Sequence, residues 1–424
     1  METLRFINFI ITIIFLICYS YQFLYIPVAL LFKRKQKTTE ITDQNDHDFA
    51  VLICARNEEE VIGDLIDSIH NQTYDQSHIH IFVMADNCTD NTAKVAMTAG
   101  ATVYTRFDTR NVGKGYAMTS LMQQIKKDYP MGFDAYLVFD ADNILATDYI
   151  EQMNRTLSQG YDIITSYRNS KNYGDNWISA GYALWFLRES RYLNYARHLL
   201  GTSCVVSGTG FLFSRQIANE MGDWPFHMLT EDIEFSAARI CKGKKIGYCP
   251  EAELYDEQPV TFSQSWRQRM RWTKGGLQVF CHYGWDLIKG AFKGNFSCYD
   301  IAMSVMPAFM LSIISILCNL TLGIWGTIVG DDIMIGIQSL IELFGNMYLT
   351  LLFIGMITTL TEWKKIHTTT LKKLFFTATF PLFMFTYIPI AFTALFRKID
   401  WKPIQHTVTV ARMSQYNNQV WIRR

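Results

Sequence analysis

Residues 6–32 read FINFIITIIFLICYSYQFLYIPVALLF, without one charged side chain. A stretch of that length reaches across the hydrocarbon core of a bilayer even when tilted. Three further apolar runs fill the last third of the chain, at 301–329, 339–360 and 374–396, and none contains Lys or Arg. Buried helices of a water-soluble protein are rarely so long and so numerous together. The chain is therefore expected to be a multi-pass membrane protein, with whatever else it folds into slung between the first run and the last three. A cleaved leader would carry its basic residues ahead of a shorter apolar core. Here KRKQK (33–37) follows the run, the pattern of a retained anchor with a cytoplasmic flank and an outer N-terminus.

Between the anchor and the later runs lie roughly 250 residues of ordinary soluble composition, room for one large domain. The 39 basic and 39 acidic residues cancel, so no general attraction to nucleic acid is expected. Nine cysteines stand scattered, with neither C-x-x-C nor a Cys/His pair at zinc spacing, which predicts reduced thiols facing the cytosol.

The soluble block alternates strand and helix signals. FAVLICA (49–55), IHIFVMAD (79–86), ATVYT (101–105) and AYLVFD (135–140) are short apolar runs, the mark of parallel strands covered on both faces. Helices are expected between them, with Asn57 and Glu60 as a capping box for the first and Gly100 closing the second. The fold class is therefore α/β with a mostly parallel sheet, whose ligands bind beyond the carboxyl ends of the strands. Arg56, Asn57, Glu58, Asp86, Asp140 and Asp142 gather there. A phosphate loop of the G-x-x-x-x-G-K-[ST] type is lacking, and VGKGYA (112–117) is a weak approach to a dinucleotide fingerprint.

Three stretches carry the chemistry. FDADN (139–143) sets two carboxylates at a strand end, an arrangement suited to Mg2+ or Mn2+ with positions left open for diphosphate oxygens. MLTEDIEFSAARICKG (228–243) starts a helix at Thr230 with Glu231 and Asp232 in its first turn, where acids serve either the helix dipole or as a general base. In SWRQRMRW (265–272), Gln268, Arg271 and Trp272 share one helical face. That face offers a guanidinium fork and an amide to a diphosphate and a flat ring to a sugar. Arg267 and Arg269 are left for lipid headgroups.

ARNEE, ADNCTDNT, DAD, TED and QRMRW come in the order of the family-2 glycosyltransferases. Residues 48–285 resemble its membrane-embedded processive branch, which includes cellulose, chitin and hyaluronan synthases; Q-x-x-R-W after T-E-D is the specific part. The resemblance implies a GT-A fold and an inverting transfer of a hexose or N-acetylhexosamine from a UDP-sugar to a growing β-linked glycan, or to a lipid acceptor in a single step. It implies nucleoside contacts from Arg56, Glu58 and Asp86, and donor phosphate contacts from Lys114. Asp140 and Asp142 would hold the metal, with Asp140 also on the donor side. Asp232 would be the base beside Glu231, and Gln268 with Arg271 would hold the diphosphate. Ser207 and Gly208, in SGTG, and Trp272 would line the acceptor side. Cys88 stands where the family usually has serine, and Arg56 where an aromatic is frequent.

The expected organisation is an anchor and basic linker (1–47), a cytoplasmic catalytic domain (48–262), interfacial helices with the Q-x-x-R-W pentad (263–298), and a C-terminal membrane region (299–424), all at the plasma membrane among its lipids. Run 374–396 has basic flanks at both ends and carries Pro381 and Pro389, so it is expected to return or to lie along the interface. Its tail would then bring Trp401 and His406 over the bound nucleotide.

Overall fold

A computed structural model of the chain describes residues 2–32, 46–305, 308–329, 333–399 and 406–411. Helix α1 (Glu2–Leu31) precedes the catalytic block. That block opens with β1 (Phe49–Ala55), α2 (Ile62–His70), β2 (Ile79–Asp86), α3 (Thr92–Thr98), β3 (Thr102–Arg106), α4 (Lys114–Asp128) and β4 (Ala135–Asp140). It continues through β5 (Ile144–Leu145), α5 (Tyr149–Ser158), β6 (Ile163–Ser170), α6 (Trp177–Arg188), α7 (Tyr195–Leu199), β7 (Phe211–Ser214), α8 (Arg215–Met221), α9 (Glu231–Cys241) and β8 (Ile246–Asp256). The strands form one sheet in the order β3-β2-β1-β4-β7-β6-β8-β5. β3, β2, β1 and β4 run parallel, β7 is antiparallel to both neighbours, and β6 pairs with β8 in parallel.

Three of the four expected strands keep their expected limits, and β3 is displaced by one residue. The remaining strands escaped the apolar-run signal. β5 has two residues, and β8 is interrupted opposite Ser166 and Tyr167, where its partner shifts from Cys249 to Glu253. That irregularity in β8, which contains Pro250, bends the strand where proline cannot donate to the ladder. Two apolar layers cover the sheet. One packs Phe82, Leu121, Phe213, Trp224 and Phe235 beneath α4 and α9, and the other packs Val51, Ile66, Phe139 and Ile150 beneath α2 and α5.

The expected capping box at Asn57 is not formed. Helix α2 starts only at Ile62 after Val61, with no side-chain cap. Asn57 instead adopts φ 58°, and its Oδ1 accepts from the Thr89 amide at 2.8 Å. Asparagine tolerates the left-handed region, so the residue turns the chain at the strand end rather than starting a helix.

After β8 come α10 (Phe262–Phe292), α11 (Phe296–Val305), α12 (Ala308–Val329), α13 (Ile333–Thr361), α14 (Thr370–Phe385) and α15 (Tyr387–Phe396). Among the described residues, Phe9–Leu31, Ile337–Thr361 and Thr370–Phe396 are long and apolar enough to cross a membrane. The run expected at 301–329 is divided between α11 and α12, and the boundary expected at 298 falls inside α11. The catalytic block claims α11: Cys298, Asp300, Ile301, Ala302 and Val305 are buried. Asp300 receives Arg197 Nε and Nη2 at 2.7 and 2.8 Å, and the hydroxyls of Tyr21 and Tyr25 of α1 at 2.8 Å each.

The run at 370–396 touches the catalytic block along its length. Lys372 Nζ donates to Gly174 O at 2.7 Å, Phe383 sits where a side chain on Gly181 would be, and Lys274 Nζ reaches Ala394 O at 3.1 Å. Beyond it, Val408 packs with Ile144 and Tyr255, and the Thr407 and Val408 amides donate to the Glu257 carboxylate. The described part of the tail therefore lies on the catalytic block. Trp401 lies outside the described residues.

Candidate active site

Parallel strands β1, β2 and β4 deliver their C-terminal residues to one edge of the sheet. Asp86 at the end of β2 receives Arg106 Nη1 at 2.6 Å, an ion pair set by the β2–β3 register. Arg56 follows β1 in the same wall of the cavity described below. Glu58 is buried, and its carboxylate lies 3.0 Å from His406 Nδ1 in the tail. Burial opposes the charge on His406, but Asp142 and Glu58 outweigh it and raise the imidazole well above its ordinary value. At neutral pH the tail thus brings a cation to the Glu58 and Asp142 carboxylates.

Lys114, the first residue of α4, ties two halves of the site together. Its Nζ donates to Asp140 Oδ1 at 2.5 Å and to Gly208 O at 2.7 Å. Burial works against its charge, but Asp140 and Glu231 hold the ammonium above its ordinary range. Asp142 Oδ2 accepts from the Glu257 amide at 2.7 Å. Asp140 and Asp142 thus each commit one oxygen to the protein and keep the other free of hydrogen bonds among the described residues. Among the described residues, no third His, Cys, Asp or Glu completes a cluster there. Two carboxylates with open oxygens fit Mg2+ or Mn2+, which takes its remaining ligands from a diphosphate and water.

Opposite stands the first turn of α9. Thr230 is its N-cap, and Gly275 of α10 packs so closely that a Cβ there would meet Thr230 Oγ1 at 2.5 Å. This contact sets the Q-x-x-R-W helix directly on the T-E-D turn. Burial pushes the Glu231 carboxyl up to about 7, with the charge on Asp232 adding to it, and burial raises Asp232 as well. Two adjacent desolvated carboxylates titrate as a pair. A Cβ on Gly208, whose φ is 81°, would lie 3.9 Å from Asp232 Oδ2, so the SGTG loop abuts the aspartate.

On α10, Arg271 Nη1 donates to Leu229 O at 2.9 Å, while Trp272 meets Tyr182 and Phe186 edge to face at 5.6 and 6.0 Å. Gln268 Oε1 is buried without a partner among the described residues. The expectation for Arg269 is overturned. It is fully buried, 4.4 Å from the centre of the Phe383 ring, and donates to Phe383 O and Thr386 Oγ1. A partner more than a hundred residues downstream claims it through cation–π and hydrogen-bond contacts. Arg267 is exposed and donates to Ser263 Oγ at 2.8 Å.

Apart from Asn57, which turns away to Thr89, and Trp401, which lies outside the described residues, the site residues expected from the sequence line one cavity of about 1270 Å³. It extends past Trp272 to Phe15 and Tyr19 of α1 and to Asn346, Met347 and Thr350 of α13. Several polar groups in its wall were not expected, among them Arg168 and Glu189. Arg168 of β6 pairs with Asp256 of β8 and donates to Ser207 O at 2.7 Å. Glu189 accepts from Ser207 Oγ at 2.5 Å. The first pair stands on strands that the sequence did not disclose. Glu189 begins a π-helical turn (Glu189–Asn194) between α6 and α7, which re-aims it in a way helical periodicity does not predict.

The poly-β-1,6-N-acetyl-D-glucosamine synthase of Staphylococcus epidermidis is 27% identical over 241 residues, 56% of this chain and 57% of that protein. The β-monoglucosyldiacylglycerol synthase of Nostoc is 24% identical over 277 residues, 62% of this chain and 56% of the relative. The matches thus span little more than half the length of these relatives. A mannosyltransferase from Pyrobaculum calidifontis, solved with GDP-Man and Mn2+, superposes with a TM-score of 0.57 at 14% identity, covering 93% of this chain and 99% of that one. It shares the fold, a GT-A-like α/β architecture. Residues 47–275 match the family described as glycosyltransferase like family 2, and with more than half its length so matched the chain belongs to glycosyltransferase family 2.

Proposed function

We propose that the protein is an inverting glycosyltransferase that moves a hexose or N-acetylhexosamine from a UDP-sugar to an acceptor hydroxyl delivered from the membrane side. The observation that carries this reading is the single cavity joining the Asp140–Asp142 edge, the Asp232 turn and Arg271 to the membrane helices. Glu58, Asp86 and Arg56 would bind the nucleoside, and Lys114, Gln268 and Arg271 the diphosphate. Asp140 and Asp142 would hold Mg2+ or Mn2+, which supplies positive charge to the diphosphate when bound. Asp232 takes the proton of the acceptor hydroxyl as its oxygen bonds to the anomeric carbon. The bond to the diphosphate breaks, and Arg271 meets the charge that develops there. Trp272, stacked on the acceptor, and the Ser207–Gly208 loop hold the hydroxyl against Asp232.

The first reading of the product is a growing β-linked glycan passed toward the membrane, supported by the similarity to the poly-N-acetylglucosamine synthase. The second, a single transfer to a lipid, is supported by the apolar wall of Phe15, Leu16, Phe23, Met347 and Leu351 at the membrane end of the cavity. Nucleotide release measured over UDP-sugars and GDP-mannose with Mg2+ or Mn2+, followed by sizing of the product, tests both. A ladder of chains supports the first reading and a single glycolipid the second. Release from GDP-mannose alone would overturn the UDP assignment.

Two further outcomes are expected. Because the Glu231–Asp232 pair holds a proton until near neutrality and the base must be free of it, turnover rises with pH through about 7. Glu231→Gln removes the neighbouring charge and moves that limb to lower pH; an unmoved limb would separate it from this pair. Arg271→Ala lowers turnover roughly 10²-fold while affinity for the sugar nucleotide changes far less, as for a lost oxyanion donor. Equal loss in binding and turnover would make Arg271 a ground-state contact.

We place the catalytic block at the cytoplasmic face of the plasma membrane, with the tail beside it. The support is the basic group at 33–37, those at 364–365 and 372–373, and the seat of His406 on Glu58. In that position the tail closes over the bound nucleotide. A cysteine introduced at Ser414 is then labelled by an impermeant reagent only after permeabilisation. Ser414 lies outside the described residues, and labelling there in intact cells overturns this placement of the tail.

A further inference from the structure

Glu189 stands in the acceptor half of the cavity, and the transfer as proposed leaves it without a task. It opens the π-helical turn after α6, is half-buried, and lines the cavity together with Ser207, Gly208 and Trp272. One carboxylate oxygen, Oε1, accepts from Ser207 Oγ at 2.5 Å. The other, Oε2, has no hydrogen bond among the described residues. Burial raises the pKa of this carboxyl, and the Ser207 hydroxyl with Arg168, Arg197 and Arg188 draws it back. A carboxylate oxygen withdrawn from water is costly to leave without a donor.

The reacting centre is close. Ser207 O accepts from Arg168 Nη1 at 2.7 Å, and Gly208 O accepts from Lys114 Nζ at 2.7 Å. Side chains from three elements therefore fix this two-residue loop, Glu189 among them. A Cβ on Gly208 would lie 3.9 Å from Asp232 Oδ2, so the loop reaches from one carboxylate to the other within two residues. Phe186, three residues before Glu189, has its ring 6.0 Å from that of Trp272, and the Arg168 guanidinium sits 3.6 Å over the Phe186 ring centre. Aromatic surface with a few placed polar groups is the lining that orients a small polar ligand.

A sugar ring carries hydroxyls on adjacent carbons. When one is delivered to Asp232, its neighbour needs an acceptor of its own. Diacylglycerol has a single hydroxyl and would leave Glu189 Oε2 without a donor. We propose that Glu189 is an acceptor-binding residue whose free oxygen receives a second hydroxyl of the acceptor, which therefore ends in a sugar ring rather than a bare alcohol. The proposal rests on Asp232 being the base and on the cavity being the acceptor site. A growing glycan and a glycolipid headgroup both satisfy it, and diacylglycerol does not.

The test uses the full chain in a detergent without a sugar head. Retention of dioleoylglycerol, of its β-glucosyl derivative and of its β-N-acetylglucosaminyl derivative is read by native mass spectrometry. Wild type retains at least one of the two glycolipids in preference to dioleoylglycerol. Glu189→Gln still offers an oxygen to Ser207 but turns an amide N–H to the ligand. It lowers the preference roughly 10- to 100-fold, as for a lost hydrogen bond to a charged group, with UDP affinity unchanged. Equal retention of the three lipids by wild type overturns the proposal without any variant. A preference that survives in Glu189→Gln overturns the role of Glu189, and a parallel loss of UDP affinity would make the residue a structural tie of the loop instead. The expected preference with no nucleotide release from any UDP-sugar or from GDP-mannose would overturn the enzymatic reading and leave the sugar seat standing.

Discussion

Asp232→Asn binds the sugar nucleotide as wild type does and loses transfer by about 10²–10⁴-fold, the usual cost of a missing general base. The amide fills the same space at the start of α9 but cannot take a proton from the acceptor. The proposed donor contacts lie on the opposite wall, at Asp86, Lys114 and Asp140, so affinity for the nucleotide is expected to survive. Removing the carboxylate also relieves the like charge next to Glu231, which then ionises at lower pH. Binding by calorimetry and turnover by nucleotide release, on one preparation, separate the two effects. Transfer at near wild-type rate with donor binding intact would take the base role away from Asp232.

Arg197→Met is expected to be the substitution most damaging to the stability of the fold. Arg197 and Asp300 are almost completely buried, joined by two hydrogen bonds, and Asp300 also receives two tyrosines of α1. Methionine leaves that carboxylate without its cation, and breaking a buried pair from one side costs about 3–5 kcal/mol. Thermal unfolding in detergent would show the loss. Arg197→Met combined with Asp300→Leu should regain much of it, since no charge then remains to be compensated. If the single variant were as stable as wild type, the pair would not be what fastens α11 and α1 to the catalytic block.

How far such features can be read from the chain depends on whether their cause is local. β1, β2 and β4 were legible because a parallel strand covered on both faces is an unbroken apolar run. β8 was not, since the irregularity near Pro250 interrupts its pattern and its partner β6 lies some eighty residues earlier. Asn57 carried the composition of a helix cap, but the Thr89 amide competed for its side chain and the backbone took a left-handed turn. The residues drawn together in the cavity were legible through strand ends and helical spacing. Glu189 and Arg269 were not, because a π turn aims the first and α14 covers the second. In each of these cases the deciding partner is distant in sequence.

The fastening of the catalytic block has a kinetic meaning. Together with α10 and α11 it is joined to α1 through Asp300, to the run at 370–396 through Arg269 and Lys274, and to the tail through Glu257. With the helices placed in a bilayer as proposed, the cleft stays at a fixed height and does not sample the bulk solution. Encounter with a membrane-borne acceptor then becomes a search in two dimensions, with an effective concentration set by geometry. Its rate follows the mole fraction of acceptor among the surrounding lipids. Adding inert lipid slows such an enzyme even when the amount of acceptor per litre is unchanged.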